Sequence, residues 1–230
     1  MPASRAVFVH TVPPLVAVFD RLAAAMLPGV QVMHILDEPL LEHVRQQGRL
    51  DESDIQRLVT HVQEATTIGA SAVLVTCSTV SPAVDAVRQQ ATIPVLKIDE
   101  AMIGEAVRLG VHIGVIATNR TTLAPTQRLL QDAAIRAGRT IATELVLVEG
   151  ALPALLAGDG ATHDHLVRAA IAATAPQVDV VVLAQASMAR VLDDELAPSL
   201  AGGGAKANKT PVLASPHLAL RELAALLAVA

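Results

Sequence analysis

Along this chain, runs of apolar and largely β-branched residues alternate with stretches whose apolar positions recur every three or four residues. The continuous apolar runs predict strands at 6–9, 30–35, 72–76, 94–98, 112–117, 141–148, 178–183 and 211–213. The amphipathic stretches predict helices at 14–26, 53–67, 81–89, 100–109, 122–137 and 162–173. Strands that are apolar at every position, separated by helices, indicate parallel sheets covered on both faces.

The pattern also repeats. Ala72-Val73-Leu74-Val75-Thr76-Cys77-Ser78-Thr79 aligns with Val180-Val181-Val182-Leu183-Ala184-Gln185-Ala186-Ser187. Upstream, Ala6-Val7-Phe8-Val9-His10-Thr11 aligns with Ile113-Gly114-Val115-Ile116-Ala117-Thr118, and downstream Ile93-Pro94-Val95-Leu96 aligns with Thr210-Pro211-Val212-Leu213. Three strand ends recur in one order, which points to a duplication. The expected fold is α/β, with two pseudo-symmetric parallel-sheet half-domains and the active site in the cleft between them. The expected boundaries are 1–98 plus 211–230 for the first half and 99–210 for the second. The Gly-rich stretch 202–209 reads as a loop inserted in the second half.

Composition narrows the function. The chain has 230 residues and is 52% hydrophobic, enough for a packed core and incompatible with disorder. Only Phe8 and Phe19 are aromatic, so a ligand pocket works without stacking unless those two line it. The net charge of −5, with no basic run, argues against nucleic acid as a partner. No apolar run is long enough to span a membrane, and residues 1–20 read as strand then helix rather than a signal peptide. Cys77 is the sole cysteine, which fits a reducing, cytoplasmic setting. The apolar tail, 218–230, holds more Ala and Leu than one helix face needs, so a homo-oligomer is expected.

Candidate chemistry collects at strand ends, where open parallel sheets bind ligands. Cys77 ends a predicted strand and precedes Ser81 and Pro82, an expected N-cap and first helical residue. That placement predicts an accessible thiol with a pKa below the usual value of about 8.5. Ser78 and Thr79 offer backbone and hydroxyl donors to a carboxylate, and Thr118 and Asn119 offer a second set before their own helix. Thr11 takes the matching position in the first half. His10 and His217 follow the first and last strands and are candidate second bases. Asp99 and Glu100 most simply open a helix. His163 and His165 are two apart and do not share a helix face, so no metal is expected.

The segment 73–79 resembles the first cysteine motif of the aspartate/glutamate/hydantoin racemase superfamily. The segment 181–189 resembles the second, where hydantoin racemases read roughly Val-Leu-Gly-Cys-Ala-Gly-Met-Ala. The resemblance covers nearly the whole chain. It implies a small carboxylate substrate held between two α/β domains, no cofactor, and proton transfer at the carbon beside the carboxylate, with one cysteine on each face. Here the second cysteine position is Gln185, followed by Ala186 and Ser187 as binding residues.

An amide cannot carry a proton near neutral pH, so two-thiol racemisation cannot run unchanged. The expected function is a cofactor-independent enzyme of this superfamily, with Cys77 as acid/base or nucleophile and Gln185 on the opposite face. Alternatives are a one-cysteine decarboxylase or a cis-trans isomerase of a small dicarboxylate. A non-catalytic carboxylate-binding protein is the rival from another class.

Overall fold

The computed structural model describes residues 4–192 and 210–229, so the insertion 202–209 lies outside the described residues. The chain divides into two compact units, residues 1–101 with 216–230, and residues 102–215.

The first unit is built on strands β1 (Arg5–His10), β2 (Gln31–Leu36), β3 (Ala72–Val75) and β4 (Val95–Lys97), all parallel, in the order β2-β1-β3-β4. Its helices are α1 (Pro14–Met26), α2 (Glu38–Gln47), α3 (Glu52–Thr67) and the short α4 (Val84–Arg88). The helix α5 (Glu100–Leu109) follows β4. The second sheet holds β5 (His112–Ala117), β6 (Ala142–Leu147), β7 (Val180–Leu183) and β8 (Val212–Ala214), parallel in the order β6-β5-β7-β8. Helices α6 (Arg120–Arg136), α7 (Ala151–Leu156) and α8 (Gly160–Thr174) belong to it. The last helix is α9 (Ser215–Val229). The two orders are the same once each first-sheet strand is matched to the strand four later, which is the duplication read from sequence.

In the first unit each strand buries alternate residues on two faces. One layer packs Val7, Val9, Val73, Val75 and Cys77 against Leu58, Val59, Val62 and Val84. The other packs Phe8, Leu74, Leu96 and Ile98 against Phe19, Ala23, Ala219, Leu220 and Leu223. Both phenylalanines are therefore fully buried core. The surplus apolar residues of the tail also find their partner here, since α9 covers this second layer.

The expected boundary at residue 211 shifts. Val212, Leu213 and Ala214 pair with Val181, Val182 and Leu183, so this segment completes the second sheet and the chain leaves that unit only after Ser215. A three-residue edge strand buries its backbone groups by pairing, and β7 is the strand that offers free partners. Helix α2 is an addition to the helices expected from the pattern. Its apolar residues, Leu40, Leu41 and Val44, form a short stripe that follows β2 immediately.

Candidate active site

In a parallel sheet all carboxyl ends share one edge, so four loops of the first unit converge there. His10 ends β1 and Thr11 follows it, Asp37 follows β2, Thr76 to Thr79 follow β3, and Asp99 follows β4. Thr11 is buried and its Oγ1 lacks a hydrogen-bond partner among the described residues. A hydroxyl buried without a partner costs roughly 1–3 kcal/mol, so it marks a place where another acceptor or donor belongs.

Cys77 is 8% exposed, with its side chain in the layer of Val75, Val80 and Val84. It is not the open thiol expected from sequence. Its backbone carbonyl accepts hydrogen bonds from the amides of Val80 (3.2 Å) and Ser81 (3.0 Å), closing the turn that carries Ser78 and Thr79. Ser78 is half-buried and Thr79 exposed. Ser81 is not an N-cap: it opens a 3-10 turn, Ser81–Ala83, that has no side-chain cap, and only the five-residue α4 follows.

Asp99, which from sequence simply opens a helix, is instead a buried carboxyl. Burial pushes its pKa up to about 6, against the opposing pull of its own backbone amide, Ser81 and Lys97. The Ser81 hydroxyl is near but outside hydrogen-bond geometry, so Asp99 Oδ2 and Ser81 Oγ are both buried without partners among the described residues. An acid at the end of the predicted strand 94–98 was the available sequence signal. Asp37, equally buried, is well satisfied. It accepts from Arg57 Nη2 at 2.7 Å, pairs with His61 Nε2 at 2.6 Å and caps α2 through the Leu40 amide.

In the second unit, Thr118 and Asn119 follow β5 and Gln185, Ala186 and Ser187 follow β7. The Gln185 Oε1 accepts three hydrogen bonds, from the Thr118 amide (2.6 Å), the Thr118 hydroxyl (3.0 Å) and the Asn119 amide (3.2 Å). Asn119 in turn caps α6 by accepting from the Thr121 amide at 3.1 Å. Ala186 and Ser187 are half-buried in a 3-10 turn. The structure thus joins Gln185, Thr118 and Asn119 into one cluster, with the amide oxygen standing where donors for a carboxylate oxygen converge.

His10 is fully buried with both ring nitrogens engaged, and His217 lies half-buried in the first turn of α9. His163 is buried and bonded to Asp164, whereas His165 is exposed. Among the described residues one cluster, His43, Asp51 and Asp54, has its ligand atoms close enough to hold a metal. Asp51 and Asp54 already form the capping box of α3 there.

The sequence model of the Asp/Glu/Hydantoin racemase family matches residues 14–223. The chain belongs to this family. It is a racemase-type enzyme, in the isomerase class. Solved structures share the fold at low identity. The allantoin racemase from Klebsiella pneumoniae is 18% identical, with a TM-score of 0.67 over 98% of this chain and 88% of its own. An aspartate racemase homologue from Pyrococcus horikoshii OT3 is 12% identical, with a TM-score of 0.71 over 98% and 99%. The glutamate racemase isoform RacE1 from Bacillus anthracis is 15% identical, with a TM-score of 0.63 over 100% and 83%. No curated protein matches the chain in sequence. Among the described residues no helix is long and apolar enough to cross a membrane.

Proposed function

We propose that this racemase-family enzyme moves a proton at the carbon beside the carboxylate of a small acid, with Cys77 as the proton carrier. The observation that carries this reading is the position of the only thiol. Cys77 stands at the carboxyl end of β3, in a row of strand ends that also holds the Thr11 hydroxyl, which has no partner among the described residues. In the forward step the thiolate takes the α-proton, the C–H pair moves into the carboxyl group, and an enediolate forms. Donors on the carboxylate oxygens lower the cost of that charge. Thr11, Ser78 and Thr79 are the donors we assign to it in the first unit; the second unit carries a donor cluster of its own at Thr118 and Asn119, with Ala186 and Ser187 on the neighbouring turn.

Gln185 favours one-faced chemistry. Its carbonyl is held by three donors, and an amide does not titrate near neutral pH. Protonation after decarboxylation, or thiolate addition to an unsaturated dicarboxylate with rotation and release, needs a carrier on one face only. The test is a panel of small mono- and dicarboxylates incubated in deuterated water. Label should enter with one configuration, and Cys77→Ala should lose at least about a hundredfold in rate, the usual scale of a general acid–base. Efficient racemisation by the natural chain would mean a second base, with His217 the first to replace.

A further inference from the structure

A file of hydrogen bonds crosses the first unit from its surface to the end of β3. Asp20 on α1 is 62% exposed and its Oδ1 lies 2.9 Å from His34 Nε2. His34 Nδ1 lies 2.8 Å from His10 Nε2, and His10 Nδ1 lies 2.8 Å from Thr76 Oγ1. The Thr76 Oγ1 also lies 3.1 Å from the Val9 carbonyl, which already accepts from the Thr76 amide at 3.0 Å. The two imidazoles stack with centroids 5.1 Å apart, and Phe8 and Phe19 wall them off.

Counting donors and acceptors leaves two complete patterns. With His34 neutral, Thr76 donates to His10 Nδ1, His10 Nε2–H donates to His34 Nδ1, and His34 Nε2–H donates to Asp20. With His34 protonated, it donates to Asp20 and also to His10 Nε2. His10 then carries its proton on Nδ1 and donates to Thr76, whose hydroxyl turns to the Val9 carbonyl. The states differ by one proton, taken up from solvent at His34. Any mixed arrangement sets two lone pairs or two N–H groups face to face.

We propose that Asp20, His34, His10 and Thr76 form a proton-coupled switch, in which protonation of His34, whose side chain is 16% exposed beside the open Asp20, reverses the tautomer of buried His10 and the direction of the Thr76 hydroxyl. It delivers the state of the solvent to the residue before Cys77, and its relevance to turnover rests on the reading of Cys77 above. His10 itself stays neutral throughout, since burial first, and then His34, push its pKa down to about 4 while Asp20 pulls it up. The titratable groups acting on His10 are His34 from β2 and Asp20 from α1; β3 supplies the Thr76 hydroxyl, and α9 brings Ala219, Leu220 and Leu223 to the same layer.

The test uses the intact chain without substrate, so it decides the switch whether or not the proposed reaction is found. Nitrogen-15 shifts of both rings are followed between about pH 5 and 8, the range in which histidines change charge. His10 should move from the Nε2–H to the Nδ1–H tautomer in step with the titration of His34. Asp20→Asn, on an exposed side chain, should move both events together to lower pH. His34→Gln should leave His10 in one tautomer at every pH. A His10 that keeps one tautomer while His34 titrates in the natural chain would overturn the switch, as would a flip that persists in His34→Gln.

Discussion

Two buried carboxylates at the same sheet edge behave oppositely, because one is paired and the other is not. Burial pushes Asp37 up, but hydrogen bonds from Arg57, His61 and the Leu40 amide, with the charge of Arg57, leave it below its ordinary 3.8. Asp99 has no such set and rises to about 6. Between the ordinary 3.8 and about 6 the folded chain holds a proton at Asp99 that the unfolded chain has released. Stability from this group therefore falls as pH rises through that window. Asp99→Asn should remove this slope and raise stability at pH 7 by roughly 2–3 kcal/mol, since each pH unit of the window is worth about 1.4 kcal/mol. Urea denaturation at pH 4 and pH 7 measures it; a variant with an unchanged slope would contradict it.

Gln185 belongs to the same scale. If its amide oxygen keeps the Thr118 and Asn119 donors in place for a carboxylate, removing it frees all three. Gln185→Ala should then bind small carboxylates several-fold more tightly, visible by calorimetry. Weaker binding would show instead that Gln185 contacts the ligand directly. If Gln185 contacts the substrate as the proposed function has it, Gln185→Cys should supply a second proton carrier and open slow racemisation, detected by loss of optical purity.

At the scale of elements, close approach decides what the pattern alone leaves open. Gly114 sits inside β5, where glycine is otherwise a poor strand residue. A Cβ there would fall 2.6 Å from Thr174 Cγ2 and 3.3 Å from Val178 Cγ2, so α8 packs where a side chain would stand. Gly114→Ala should cost about 1–3 kcal/mol as an overpacked core position, read as a lower denaturation midpoint. A neutral result would mean that α8 shifts freely. Strands were legible because continuous Val-rich runs have few other fates, and α3 was legible from its amphipathic spacing; the capping box that Asp51 and Asp54 close at its start was not read from the sequence. The start of α4 differs from its sequence pattern for a physical reason. Ser81 and Pro82 are good at an N-terminus, but the turn is closed by the Cys77 carbonyl, and Ser81 is turned into the protein.

At the scale of the molecule, α9 follows the edge strand of the second sheet yet belongs to the first unit. Leu220 and Leu223 are fully buried beside the layer of Phe8 and Leu74. Leu220→Ala should cost about 2–5 kcal/mol. Amide exchange in β1 and β3 should accelerate while that in β5 and β7 changes less. Equal acceleration in both sheets would show that the two units unfold as one.

Much of this architecture follows from the order of residues. The strand runs, the helix periodicity, the repeated strand ends and the single thiol with Gln185 in the matching position are local properties, and each constrains its own segment whatever lies across the fold. What packing decided is which polar groups lose water and which regain a partner. No local pattern distinguishes Asp37, met by Arg57 and His61 some twenty residues on, from Asp99, whose Oδ2 meets no partner among the described residues. Nor could it join Gln185 to Thr118, or line up Asp20, His34, His10 and Thr76 from four separate elements and strand ends. Hydrogen bonding and desolvation depend on distances of a few ångströms between residues far apart in the chain, and only the tertiary structure sets those distances.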